Sequence, residues 1–240
     1  MSDRSPLRPA ASLLAVLVVG LSACTSSSRT APGPSPATVD VAGPEVRVPR
    51  TTPQSIAEAR ADSARTPYRA ADVKFMTDMI GHHAQAIQMS LMAPTHGASA
   101  QVRTLAARII NAQRDEIFNM QQWLADRQKP WPHVDASGAV HGSGGDHATH
   151  HGMMAGMLTE AQMRQLDAAR GPEFDRLFLT FMIQHHQGAV AMVKELLSDG
   201  GAAHNDTVFR LAGDINVDQT TEIARMRQML AQLTSTQREN

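Results

Sequence analysis

The chain has a single cysteine, Cys24. With no second thiol it can form no internal disulfide, and a metal it bound would have to be held by His, Met, carboxylate or backbone groups if Cys24 is otherwise engaged. Aromatic residues make up only 4% of the chain. Neither charge is in excess, 22 basic residues standing against 23 acidic ones, and this balance argues against a nucleic-acid partner. The apolar run Ala10–Gly20 is too short to span a bilayer permanently. No Glu-x-x-His occurs anywhere, although a di-iron centre in a helical bundle would need that motif and further glutamates. Nor is there an evident nucleophile–base pair or a phosphate-cradling glycine loop. What the chain does have is 14 methionines and 11 histidines, a bias towards soft-ligand chemistry or a pliable core.

These residues fall into a repeat. The stretch FMTDMIGHHAQAIQM at 75–89 aligns with FLTFMIQHHQGAVAM at 178–192, so that Asp72 meets Asp175, Met79 meets Met182, His82-His83 meet His185-His186, and Met89 meets Met192. A repeat this regular is one structural unit used twice. At about 100° per residue, both copies place the two histidines, the methionines and the aspartate on one helical face. That face should point inwards.

At the start, Arg4 and Arg8 precede the apolar run, and Leu21-Ser22-Ala23-Cys24 follows it. This is the pattern of an export signal over 1–23. The tetrapeptide resembles a bacterial lipobox, which implies that Cys24 is lipidated and anchors the chain to a membrane of the cell envelope, on its periplasmic or extracellular face. Residues 24–66 are rich in Ser, Pro, Thr and Ala and read as a disordered tether, within which Gln54–Arg65 has the pattern of a short helix.

From residue 67 to 233 the pattern is all-α. Helices are expected at about Tyr68–Met92, Ser99–Arg127, Pro172–Ser198 and Asp206–Leu233. A shorter one should open at the capping box Thr159/Gln162 and run to Arg170. The second and fourth long helices also match each other, Gln113, Glu116 and Met120 corresponding to Gln219, Glu222 and Met226. Two repeated helical hairpins (67–127 and 159–233) joined by a long connection specify a ferritin-like four-helix bundle with a crossover.

His and Met together suit Cu(I), since thioether is soft and neutral imidazole adds no charge to a buried site. The candidate ligands are Met79, His82, His83, Met89, Met182, His185, His186 and Met192. Zinc draws more often on cysteine, carboxylate or three histidines, which ranks zinc and iron below copper. Glu116, Glu222, Asp72 and Asp175 are candidates to accept a hydrogen bond from a ligand histidine. A buried histidine is otherwise a hydrogen-bonded core residue, and a methionine is more often packing than ligand; the equivalent placement of two His-His pairs favours metal. The connection His133–Gly156 is polar and long enough to be disordered or functional. In and just beyond it, His141, His147, His150, His151, Met153, Met154 and Met157 form an auxiliary His/Met tract able to bind metal loosely.

The doubled D-x-x-F-x-x-x-M-I-x-H-H-x-x-A-[IV]-x-M pattern, the block from GMMAGM to FDRLFLTFMIQHHQGAVAM and the segment A-Q-x-x-E-I-x-x-M-x-x-W-L at 112–124 resemble the family named domain of unknown function 305, over about Pro67 to Leu233. The resemblance implies an exported ferritin-like bundle, with some relatives linked to copper binding and tolerance. The expected function is an envelope lipoprotein that binds Cu(I), and also Ag(I), for sequestration, tolerance or transfer to a copper-handling partner, without catalysis. The alternatives are a metal-dependent oxidase or hydrolase using the same histidines, and a helical interaction module with no metal.

Overall fold

The computed structural model describes residues 57, 58, 60, 61, 64–142, 154–198 and 203–239, with side chains as far as 235. All of these belong to one compact unit, Arg50–Asn240. The signal segment, Cys24 and the tether before residue 57 lie outside the described residues, as do His147, His150, His151 and Met153. Residues 57, 58, 60, 61, 64 and 65 are helical, within the segment Gln54–Arg65.

Five bounded helices follow: α1 (Ala70–Met92), α2 (Ala100–Asp126), α3 (Glu160–Ala168), α4 (Gly171–Ser198) and α5 (Asp206–Glu239). Their starts are chemically marked. Ser99 accepts a bond from the Val102 amide at the head of α2, and Thr159 and Gln162 form the reciprocal capping box of α3. At the head of α5, Asn205 Oδ1 accepts from the amides of Thr207 and Val208. Such side chains satisfy the orphan N–H groups of a first helical turn. α1 ends where Pro94 forbids continuation.

α1 packs on α2 and α4 on α5, and the two hairpins join chiefly through α1 and α4. The core divides into two apolar clusters. In one, Ala86 and Met89 from the C-terminal half of α1 meet Phe178 and Met182 from the N-terminal half of α4. In the other, Met76 and Met79 meet Ala189 and Val193. Early α1 against late α4, and late α1 against early α4, means that these helices run antiparallel, as a pseudo-twofold relation between the hairpins requires. The chain is an all-α bundle, and its two His-His pairs fall between the two clusters.

The connection between hairpins is not wholly irregular. His133–Val134 (β1) and Val140–His141 (β2) form a two-stranded antiparallel ribbon. Two-residue strands leave no period-2 pattern to detect, so the polar segment read from sequence as a plain connection conceals them. The ribbon's turn lies on α1: a Cβ at Gly138, whose φ is +80°, would come 2.8 Å from the Ala84 carbonyl. Gln88 donates to the Gly138 carbonyl at 2.7 Å.

Candidate metal centre

The four histidines His82, His83, His185 and His186 are all fully buried. α1 and α4 cross so that the rings of His82 and His185 face each other with centroids 3.9 Å apart. His83 and His186 point outwards from this central pair, each towards the other helix of its own hairpin. His83 Nε2 lies 2.7 Å from Glu116 Oε2 on α2, and His186 Nε2 lies 2.7 Å from Glu222 Oε2 on α5. A carboxylate only accepts, so in both pairs the imidazole donates from Nε2 and turns Nδ1 away from the carboxylate.

His82 reaches the same state by a different route. Its Nε2 donates to the carbonyl of Ala155 at 3.0 Å, a residue of the connection that the sequence had not singled out. The segment 154–158 lies directly on the bundle there. Gln85 grips it from α1, donating to the Leu158 carbonyl and accepting from the Leu158 amide. Contact with α4 requires glycine on both sides, because a Cβ at Gly188 would sit 1.9 Å from the Ala155 carbonyl oxygen, and one at Gly156 would sit 2.6 Å from the Gln184 carbonyl.

The result is a layer of unpartnered ring nitrogens in the core. Nδ1 of His82, His83 and His186, and both nitrogens of His185, are buried with no hydrogen-bond partner. Gln113 and Gln219, equivalent in the repeat, also carry unpartnered buried amide atoms. Orphans of this kind cost about 1–3 kcal/mol each, so five on four adjacent imidazoles mark a functional arrangement more than a packing one. Burial, then the neighbouring charge of His83, pushes the His82 pKa down from 6.5 to about 3. Burial and then His82 hold His185 well below 6.5 in the same way. Both are therefore neutral at physiological pH, the form in which imidazole binds metal.

Met79 and Met182, fully buried, stand on opposite sides of the histidine layer. Met182 shares its cluster with Met89, and Met192 packs at the edge of the cluster holding Met79. Among the described residues, no three His, Cys, Asp or Glu side chains gather into a group that could hold a metal ion. A metal in this layer would therefore need methionine sulfur beside the imidazoles.

Two expected hydrogen-bond acceptors act elsewhere. Asp72 accepts from the amides of Arg69 and Ala203, and Asp175 accepts from the Ser99 amide. They tie helix starts to neighbouring turns and touch no histidine. The helical wheel put them on the correct face but cannot show axial distance, and ten residues of helix separate each from its histidine pair by about 15 Å. His141 is likewise part of the ribbon and not of a loose tract, while Met154 and Met157 are partly buried in the segment under which His82 lies.

α2 and α5 do not pack closely on each other, and a cleft of about 400 Å³ between them is lined by Asp115, Glu116, Asp214 and Asp218. Burial, with Glu116, Glu222 and Asp214 nearby, raises the pKa of Asp218. The carboxylate that orients His83 thus also faces this anionic cleft.

The fold has solved counterparts. A DUF305 fragment from Deinococcus radiodurans is 32% identical, with a TM-score of 0.56 over 69% of this chain and 99% of that one. A DUF305 protein from Streptomyces coelicolor is 30% identical, with a TM-score of 0.55 over 68% and 94%. CopM in its Cu(II)-bound form is 31% identical, with a TM-score of 0.51 over 67% and 96%. No curated protein matches the chain. The family model described as a domain of unknown function, DUF305, matches residues 72–230, a span that includes both His-His pairs and both glutamates that orient them, and the chain belongs to that family.

Proposed function

We propose that the protein binds a soft metal ion, Cu(I) and also Ag(I), in the layer between its two helical hairpins, and that it sequesters or hands on that ion at the cell envelope without catalysing a reaction. The observation that carries this reading is the set of buried imidazole nitrogens left without hydrogen bonds while Nε2 of His82, His83 and His186 is engaged. That is how metal-binding histidines are oriented: one nitrogen donates to a carboxylate or carbonyl, and the other presents its lone pair. The residues that would hold metal are His82, His83, His185 and His186, no three of which gather round one point, with Met79, Met182, Met89 and Met192 as sulfur donors. A donor set of neutral nitrogen and thioether, with no third carboxylate or thiolate, suits a soft monovalent ion better than zinc or iron. The carboxylates of the α2–α5 cleft would raise the local concentration of cations beside His83. The copper-bound relative CopM supports copper as the metal. Attachment at the envelope would come from lipidation of Cys24; among the described residues no helix is long and apolar enough to cross a membrane.

The test is an anaerobic titration of the protein with Cu(I) against a competing chelator, alongside Ag(I), Zn(II) and Fe(II). Tight Cu(I) binding of integral stoichiometry is expected, lost when all four histidines become glutamine and weakened when Met79 and Met182 become leucine. Deleting 141–157 would remove the Ala155 contact as well as the tract, so the tract is tested by replacing His147, His150 and His151, which should lower only weak binding. Absence of tight binding for every metal would make the layer structural and defeat the proposal.

A smaller effect follows from the carboxylates. Glu116→Gln and Glu222→Gln keep an acceptor for the histidine N–H but lose its charge, and each should weaken Cu(I) by about 10-fold or more. Affinities equal to that of the unaltered protein in both variants would show that the pairs serve folding alone.

A further inference from the structure

The ribbon carries a second histidine arrangement, remote in character from the first. The register pairs His133 directly with His141 across the two strands, which puts both side chains on the same face of the ribbon, with Cβ atoms about 5 Å apart. Their ring centroids are 6.2 Å apart. An imidazole nitrogen binds a metal at about 2.0–2.1 Å, so two rings on one ion have centroids separated by at most roughly 6.4 Å. The pair is therefore within chelating distance after small side-chain rotations.

Asp135, in the turn, makes one of the two rings ready. Its Oδ1 is fixed by the amides of Ser137 and Ala139 and by the Ser137 hydroxyl, which leaves Oδ2 facing His141 Nε2 at 2.7 Å. The carboxylate accepts there, so His141 donates from Nε2, and Nδ1 is the ring nitrogen left for a ligand. This is the same carboxylate–imidazole device that orients His83 and His186, built here on a surface turn. Unlike those residues, His141 is 58% exposed and His133 is exposed as well.

We propose that His133 and His141 form a second metal site on the protein surface, oriented by Asp135, that takes a borderline divalent cation and binds Cu(II) most tightly. Two imidazole donors suit divalent ions, among which Cu(II) stands highest for nitrogen ligands. Two protein ligands leave the remaining positions to water, so the ion exchanges readily. The site stands independently of the buried layer: one would hold Cu(I) in the core and the other would capture Cu(II) from solution.

The experiment is titration of the intact protein with Cu(II) under air, followed by electron paramagnetic resonance and by competition with glycine. The unaltered protein is compared with His133→Gln, His141→Gln, the double variant and Asp135→Asn. Removing either histidine turns a chelate into a single ligand, so each should weaken one equivalent of Cu(II) by roughly tenfold or more. The double variant should be little worse than either single one. Asp135→Asn should weaken the same equivalent by about tenfold. These residues lie on the surface, and circular dichroism with an unchanged thermal midpoint establishes that each variant is folded. A His133→Gln titration superimposing on that of the unaltered protein overturns the proposal. So does a loss on replacing His141 that is not matched on replacing His133, since that would assign His141 to the neighbouring histidine tract.

Discussion

The metal-free protein should lose stability steeply as pH falls below about 6.5. His82 titrates in the folded state at about 3, and His185 is also held well below 6.5, whereas both return to about 6.5 in the unfolded chain. Between these values the unfolded state binds protons that the folded state refuses, so unfolding is favoured by acid and stability rises with pH. A histidine with a pKa as low as that of His82 contributes about 1.4 kcal/mol per pH unit. Going from pH 6.5 to 5 should therefore remove roughly 2 kcal/mol through His82 alone, with His185 acting in the same direction, against the 5–15 kcal/mol that holds an ordinary domain together. Urea unfolding at pH 7 and pH 5 measures this directly, and His82→Gln should flatten the dependence. Equal urea midpoints at the two pH values would show that the imidazoles of the layer are accessible to protons in the folded state. Bound Cu(I) would occupy the same lone pairs, so acid should weaken the metal complex as well.

Much of this arrangement is written in the repeat. Helix positions came from period and punctuation: α1 begins two residues after the expected Tyr68, and Ser99 and Arg127, expected at the ends of the second helix, are instead its caps. α5 continues to Glu239, beyond Leu233, because no Gly or Pro stops it. The inward face, the two His-His pairs and the two glutamates follow from helical geometry, which is local. What sequence could not show is how the crossover lands, since that depends on contacts between segments about 70 residues apart along the chain. One trace of it was nevertheless present. Superposed on the repeat, Gly81 matches Gln184, Gln85 matches Gly188 and Gln88 matches Ala191, and the partners are unlike in every case. Gln85, Gln88, Gln184 and Gly188 all meet the connection. Symmetry breaks where a single asymmetric strap has to cover a symmetric bundle, and mismatches inside an otherwise faithful repeat point to that strap.

Gly188 is the most sensitive of these positions. Gly188→Ala places a methyl group 1.9 Å from the Ala155 carbonyl oxygen and 2.4 Å from its carbon. Both are backbone atoms that no side-chain rotation can move aside. The segment 154–158 would have to lift from α4, taking the Ala155 carbonyl away from His82 Nε2 and uncovering Leu158, which is 4% exposed. Overpacking costs about 1–3 kcal/mol, and an unpaired buried N–H about 1–3 more. Together these predict a loss of roughly 2–6 kcal/mol, or a thermal midpoint lower by about 5–20 °C for a domain of this size. Gly213 provides the control, because it is an exposed α5 residue whose Cβ would meet nothing within 4 Å. Gly213→Ala should be neutral or stabilise by up to about 1 kcal/mol through helix propensity. If Gly188→Ala melted with Gly213→Ala, the strap would not be seated on α4 in solution, and the fixed tautomer of His82 would lose its basis. If it melts early and also binds Cu(I) more weakly, the strap holds His82 ready for its ligand as well as closing the bundle.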